Sequence, residues 1–195
     1  MGQEQNDELA PKVLGIDPGQ GGALAWVTPT GRLHEVEDMP IVSGEVNAHF
    51  LAQLILASGR LEACVVEKVH SMPKQGVASS FKFGTSYGIV IGVVAALEIP
   101  LFFAPPQEWK GVMHLIGKDK DASRKMAIER WPTHSDLFRL KKHADRAEAA
   151  LIALSWLYTS TRAERQIKLT GPSSRPNSKR RLIRIYPEEA PATVS

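Results

Sequence analysis

Two short apolar runs in this chain each end on a carboxylate. Val13-Leu14-Gly15-Ile16 stops at Asp17, and Ala63-Cys64-Val65-Val66 stops at Glu67. Runs of about four apolar residues closed by charge or turn residues read as buried strands, being too short for helices. If two such strands lie side by side and parallel, both acids emerge at the carboxyl edge of the sheet, where ligands bind in α/β folds.

The rest of the chain supplies the sheet and its cover. After Asp17-Pro18, Gly19, Gly21 and Gly22 give the backbone freedom for a tight turn. Residues 23–27 read as a second strand and residues 33–39, which alternate in part, as a half-exposed third, so an antiparallel meander is expected. Asn47 can cap a helix to residue 58, with Gly59 as its stop. Residues 68–77 read as a loop, 79–97 as a long helix and 99–104 as a fifth strand. A short turn or helix surrounds Trp109, Asp121 can cap a helix to residue 131, and a last helix runs from about His143 to Ser160. Meander followed by alternating strands and helices predicts an α/β fold: a five-stranded mixed sheet, three antiparallel strands plus two parallel ones, with helices on both faces.

A length of 195 residues suits one domain, and 43% hydrophobic with 23% charged residues excludes a wholly disordered chain. Residues 1–11 read as a flexible leader, 12–161 as the domain and 162–195 as a basic, largely disordered tail, with 8 Lys/Arg against 3 Asp/Glu. Within that tail, Ser178-Lys179-Arg180-Arg181 resembles a nuclear-import patch, with a non-specific DNA contact or plain solubility as the preferred reading. The longest apolar run, residues 89–97, falls short of a membrane span, and the acidic N-terminus does not look like a secretory signal. A single cysteine, Cys64, cannot form an internal disulfide, so a reducing cytoplasmic setting is expected. Base is concentrated late: residues 1–100 hold 6 Lys/Arg against 11 Asp/Glu, and residues 101–195 hold 18 against 10. A basic half beside an acidic cluster fits a protein that holds a polyanion next to metal ions; a solvated surface is the plainer alternative.

Asp145 and Glu148, spaced i, i+3, share one face of the last helix. Taken singly, the four acids have ordinary readings: a turn aspartate, a strand-end charge, two acids in a helix's first turn. Together they would repel unless cations neutralise them. Oxygen-only ligation suits Mg²⁺ or Mn²⁺, and a pair of such ions can stabilise both the attacking and the leaving oxygen of a phosphodiester displacement.

Gly15-Ile16-Asp17-Pro18-Gly19, the strand ending Val65-Val66-Glu67, and His143-Ala144-Asp145-Arg146-Ala147-Glu148-Ala149-Ala150 resemble the active-site motifs of RuvC-type Holliday-junction resolvases, especially the phage-encoded branch. The resemblance covers roughly residues 13–160. It implies an RNase H-like fold and a homodimer that nicks a four-way junction symmetrically in recombination, repair or phage DNA processing, in a bacterial or phage-infected cell. It also implies two Mg²⁺ ions, replaceable by Mn²⁺, on the catalytic and metal-binding residues Asp17, Glu67, Asp145 and Glu148, with no small-molecule cofactor and no membrane. Glu148 stands where the bacterial enzymes often have Asp, one methylene shorter. His70 stands where many such resolvases carry an aromatic wedge. Lys74, Lys110, Lys118, Lys120, Arg124 and Lys125 are candidates for phosphate contacts, each adding roughly 0.9 to the salt slope of binding. His143 reads as a helix-entry residue, with a role as ligand or proton donor as the sharper option. Gly84, Gly88 and Gly92 form a small-residue stripe whose expected role is core packing, though it would also serve in a dimer interface. Trp109 and Trp131 are expected in the core or an interface.

Other classes fit less well. Phosphate-loop proteins of the actin and sugar-kinase group share a strand-Asp-Gly start but need two such domains. A non-catalytic junction-binding module would not need four intact carboxylates. An RNase H-like nuclease acting on other branched DNA or on RNA–DNA hybrids stays open, because the carboxylates define the chemistry and not the substrate's shape.

Overall fold

A computed structural model describes residues 10–68 and 76–170, with side chains as far as residue 160. Strands β1 (Lys12–Asp17), β2 (Ala23–Val27) and β3 (Leu33–Asp38) form the expected antiparallel meander. A small hairpin, β4 (Ile41–Val42) and β5 (Glu45–Val46), leads into α1 (Ala48–Ala57), whose N-cap Asn47 accepts the Phe50 amide at 3.0 Å. Then follow β6 (Leu61–Glu67), α2 (Val77–Ala96), β7 (Leu101–Ala104), α3 (Pro106–Val112) and α4 (Lys120–Arg130). Two 3₁₀ turns, Pro132–Phe138 and Lys141–His143, precede α5 (Ala144–Thr170). Strand order is β3-β2-β1-β6-β7, with β1, β6 and β7 mutually parallel as neighbours, so the mixed five-stranded sheet has the predicted composition.

Alternation along the central strands divides the core in two. Leu14, Ile16, Cys64 and Val66 face α1 and α2, where Leu51, Ile55, Val90 and Val94 meet them. Val13, Ala63 and Val65 face the opposite way, toward the Ala147, Ala150, Leu151 and Leu154 side of α5. Asp17 and Glu67, each at an even spacing from these, fall on the α5 face. The β1–β6 ladder ends at Ile16 and Val66, one residue short of both carboxylates, so Asp17 and Glu67 stand together at one edge of the sheet.

Several boundaries differ from the sequence reading. The β4–β5 hairpin is invisible to it, because two-residue strands carry no periodicity. β7 starts at Leu101, since Glu98 takes a positive φ of 56° and reverses the chain after α2. The cap of α4 is Asp119, whose side chain accepts the Ala122 amide at 3.0 Å, while Asp121 lies inside the helix and pairs with Arg124 and Lys125. Helix α5 continues to Thr170, past the expected end at Ser160. Residues 171–195 lie outside the described residues, and with them the basic segment Ser178-Lys179-Arg180-Arg181.

The glycine stripe does not pack in the core. A Cβ at Gly84, Gly88 or Gly92 would meet nothing within 4 Å, because α2 buries its other side, Ser86, Val90 and Val94. The run 89–97 is also only the second half of this helix. By length and composition the whole of α2 could cross a membrane, which corrects the expectation drawn from that run alone, although one side of it is committed to the sheet. Trp109 and Trp131 are buried as expected, the latter donating to the Gly31 carbonyl at 3.0 Å.

Gly15 marks the closest approach of a helix to the sheet among the described glycines. A Cβ there would lie 2.1 Å from the Ala149 carbonyl oxygen and 2.8 Å from the Ala153 nitrogen, so α5 rests on bare β1 backbone. Gly15→Ala is expected to destabilise by about 3 kcal/mol, at the upper end of overpacking costs. A urea unfolding midpoint unchanged from wild type would show that α5 does not sit this close.

Candidate active site

The strand ends and the start of α5 bring three carboxylates together. Asp17, Asp145 and Glu148 each offer an oxygen within 4.8 Å of the others. The glycine turn after β1 makes room for this. Gly22 cannot carry a side chain, since a Cβ would lie 2.1 Å from the Asp17 carbonyl oxygen, and at Gly21 one would lie 3.4 Å from the Asp145 carboxylate. Glu67 is at the same edge but outside that trio, its Oε1 accepting the Trp109 indole N–H at 2.9 Å. Two ammonium groups reach in. Lys120 Nζ lies 2.5 Å from Asp145 Oδ1 and 3.8 Å from Glu148 Oε2, and Lys110 Nζ lies 3.2 Å from Glu148 Oε1. Ser123 Oγ donates to the same Glu148 oxygen at 3.2 Å. Arg146, one residue past Asp145, grips Asp38 of β3 with two bonds of 2.6 Å and so ties the start of α5 to the sheet.

No family model matches the chain, and no curated protein matches it by sequence. Solved structures do. Thermus thermophilus RuvC in complex with a Holliday junction substrate superposes with a TM-score of 0.56 at 20% identity, over 77% of this chain and 96% of that one. Thermus thermophilus RuvC by itself gives 0.51 at 21% identity, with the same coverage. The yeast mitochondrial Holliday junction resolvase Ydc2 gives 0.53 at 15% identity, over 83% of this chain and 84% of that one. The fold is that of RuvC. Within this RNase H-like arrangement, the carboxylate cluster sits at the carboxyl end of the central strand β1, opposite the first turn of the helix that crosses it.

The donor set fits a hard divalent cation: the cluster is all carboxylate oxygen, with no nitrogen or sulfur ligand in the group. Its electrostatics ask for positive charge. Burial, then the neighbouring Glu67 and Asp145, pushes Asp17 up to about 7, against the pull of Lys120. Burial also raises Glu67, while the Trp109 hydrogen bond works the other way. Burial alone would lower Lys120, but Asp145, Glu148 and Asp17 outweigh it and hold the ammonium above its ordinary range.

The predicted phosphate contacts divide. Lys110 and Lys120 stand at the carboxylates themselves. Arg124 is committed to the Asp121 carboxylate, at 3.0 and 2.6 Å, and to the carbonyls of Phe138 and Arg139, at 3.2 and 2.8 Å. Lys125 pairs with Asp121 at 3.1 Å, and Lys118 is exposed. His70 and Lys74 lie outside the described residues. His143 is not part of the carboxylate trio; its Nδ1 accepts the Leu140 amide at 3.4 Å and closes the turn before α5. Sequence reasoning misses Trp109 and Ser123 as site residues. The one hint for Trp109 is that it precedes Lys110 in the helix that follows the strand beside β6.

An aspartate raised to about 7 keeps, in the folded metal-free protein, a proton that the unfolded chain has lost above its ordinary value of 3.8. Its contribution to stability therefore declines as pH rises across that window. In the presence of chelator, Asp17→Asn is expected to gain stability over wild type as pH rises from about 5 to about 8, by up to about 3 kcal/mol. Thermal unfolding at several pH values checks this, and a wild-type-to-variant difference independent of pH would refute it.

Proposed function

We propose that the chain is a metal-dependent, structure-specific DNA endonuclease that nicks four-way junctions as a homodimer. The observation that carries this reading is the convergence of Asp17, Asp145 and Glu148 within 4.8 Å at the carboxyl end of the central strand of a RuvC fold. Asp17, Asp145, Glu148 and the adjacent Glu67 would hold Mg²⁺, or Mn²⁺ in its place, which when bound supplies a Lewis acid for water activation and for charge on the departing oxygen. The protein side of the chemistry is positioning. β1 and β6 fix two carboxylates at one edge, α5 sets the other two over them, and Arg146 with Asp38 holds the first turn of α5 against β3. Lys110 and Lys120 place ammonium charge at the rim, where a phosphate oxygen would enter. Thermus thermophilus RuvC takes a Holliday junction as its substrate, and the shared fold supports this class of DNA for the present chain.

Pairing is supported by the outward side of α2. Val77 and Phe81 are 87% and 76% exposed, and with Gly84, Gly88 and Gly92 they form one apolar stripe that nothing among the described residues covers. A four-way junction offers two equivalent strands to cut, and a two-fold dimer meets them with two equivalent sites. Gly88→Arg is expected to leave the monomer folded, since nothing lies within 4 Å of the added Cβ, and to convert dimers to monomers in sedimentation. Wild type that sediments as a monomer with and without junction DNA would refute pairing.

The decisive assay compares a labelled immobile junction with linear duplex, flap and RNA–DNA hybrid. Symmetrical nicks in the junction are expected with Mg²⁺, falling to background with chelator or with Asp17→Asn. Equal or better cutting of hybrids or flaps would keep the nuclease and overturn the junction, and tight junction binding without cutting would reduce the protein to a binding module.

A further inference from the structure

Among the described residues, Glu67 is the one of the four carboxylates that accepts a hydrogen bond from an indole. It is buried, at 7% exposure, and one of its two oxygens is already occupied by the Trp109 indole N–H at 2.9 Å. Trp109 itself is 1% exposed and cannot turn away without emptying its place in the core. Its backbone is fixed relative to Glu67 by the sheet. Glu67 pairs with Ala104 in the β6–β7 register, the Lys68 amide donates to the Ala104 carbonyl at 2.9 Å, and α3 begins two residues later with the Trp109 amide donating to the Pro105 carbonyl at 3.2 Å. Lys110 lies 5.0 Å above the same indole and reaches Glu148 at 3.2 Å. One turn of α3 therefore touches two of the four acids from behind.

We propose that Trp109 is a positioning residue for the metal centre: its indole N–H holds Glu67 so that a single oxygen, Oε2, faces the cation held by the neighbouring acids. This rests on the metal-dependent reading given above. An unheld glutamate in the same place could rotate and present either oxygen, both or neither. The bond also favours the charged carboxylate in a site where burial opposes charge. Hydrogen-bond partners standing behind metal ligands typically change metal affinity or activity by about 10–100-fold when removed.

The test is Mn²⁺ binding followed by electron paramagnetic resonance on the full chain, in wild type, Trp109→Phe, Glu67→Gln and the double variant. Phenylalanine keeps an aromatic face for Lys110 and most of the buried volume but removes the donor. Trp109→Phe is expected to weaken Mn²⁺ binding about tenfold or more, and the same change in the Glu67→Gln background is expected to add less than about twofold, since the indole would then have no carboxylate to position. A Trp109→Phe chain that binds Mn²⁺ like wild type overturns the proposal, as does an equal loss in both backgrounds, which would mean that the indole acts through packing. Wild type that takes up no Mn²⁺ overturns the metal-dependent reading itself, a result distinct from either. A second measurement needs no Trp109 variant to fold. The indole N–H resonance of Trp109 in the wild-type protein is expected to stay at low field and exchange slowly when Mg²⁺ is added, and its collapse to a freely exchanging position would overturn the proposal.

Discussion

Helix α5 lies directly on the backbone of β1, and the site depends on that approach. Gly15 has no room for even a methyl group beneath Ala149 and Ala153, and the facing turns of the helix are nearly all alanine, at 147, 149, 150 and 153. Because side chains alternate along β1, the strand face that accepts α5 is also the face on which Asp17 ends. Asp145 lies one helical turn before Ala149, and Glu148 is its immediate neighbour. Close packing of apolar side chains on bare backbone thus sets the distance between acids that would otherwise drive each other apart.

That repulsion is the counterweight. Asp17 is pushed to about 7 by burial and its acidic neighbours, and Glu67 is raised for similar reasons. In the metal-free protein, relief comes from Lys120 and Lys110, whose ammoniums reach Asp145 and Glu148 from α4 and α3. A core that packs well and a charge cluster that does not is the expected distribution at a functional site, where local rules are broken and the surrounding scaffold bears the cost. The basic bias of the second half of the chain is now partly explained. Two of its lysines serve the carboxylates, and Arg124 clasps the loop ahead of α5 rather than facing outward.

Asp17 and Glu67 are legible in the sequence because a buried strand advertises itself by composition, and what stops it is then at the sheet edge. Asp145 and Glu148 are legible through helical spacing, and their meeting with Asp17 through the resemblance of three ordered motifs. Trp109 is not, because a buried tryptophan looks the same in sequence whether its N–H meets a carbonyl, as that of Trp131 does, or a carboxylate of the site. The glycine stripe on α2 misleads for a similar reason. Small residues at every fourth position define a face, but not which way it turns, and here Ser86, Val90 and Val94 hold the sheet while the glycines look out. Asp119 and Asp121 are easily exchanged as caps because both stand near the start of α4, and only backbone geometry chooses between them.

The two faces that matter are joined by a short piece of chain. Glu67 closes β6, and Val77, the first residue of α2's open stripe, follows after nine intervening residues. Because Glu67 is fixed from the side of β7 and α3, by the Ala104 register and the Trp109 indole, its position does not rely on that connection. A second chain could therefore settle on α2 without dragging the carboxylate out of place. In the proposed dimer, one sheet edge would serve the chemistry of a cut while the adjoining helix would set the spacing between two cuts, each held by its own set of contacts.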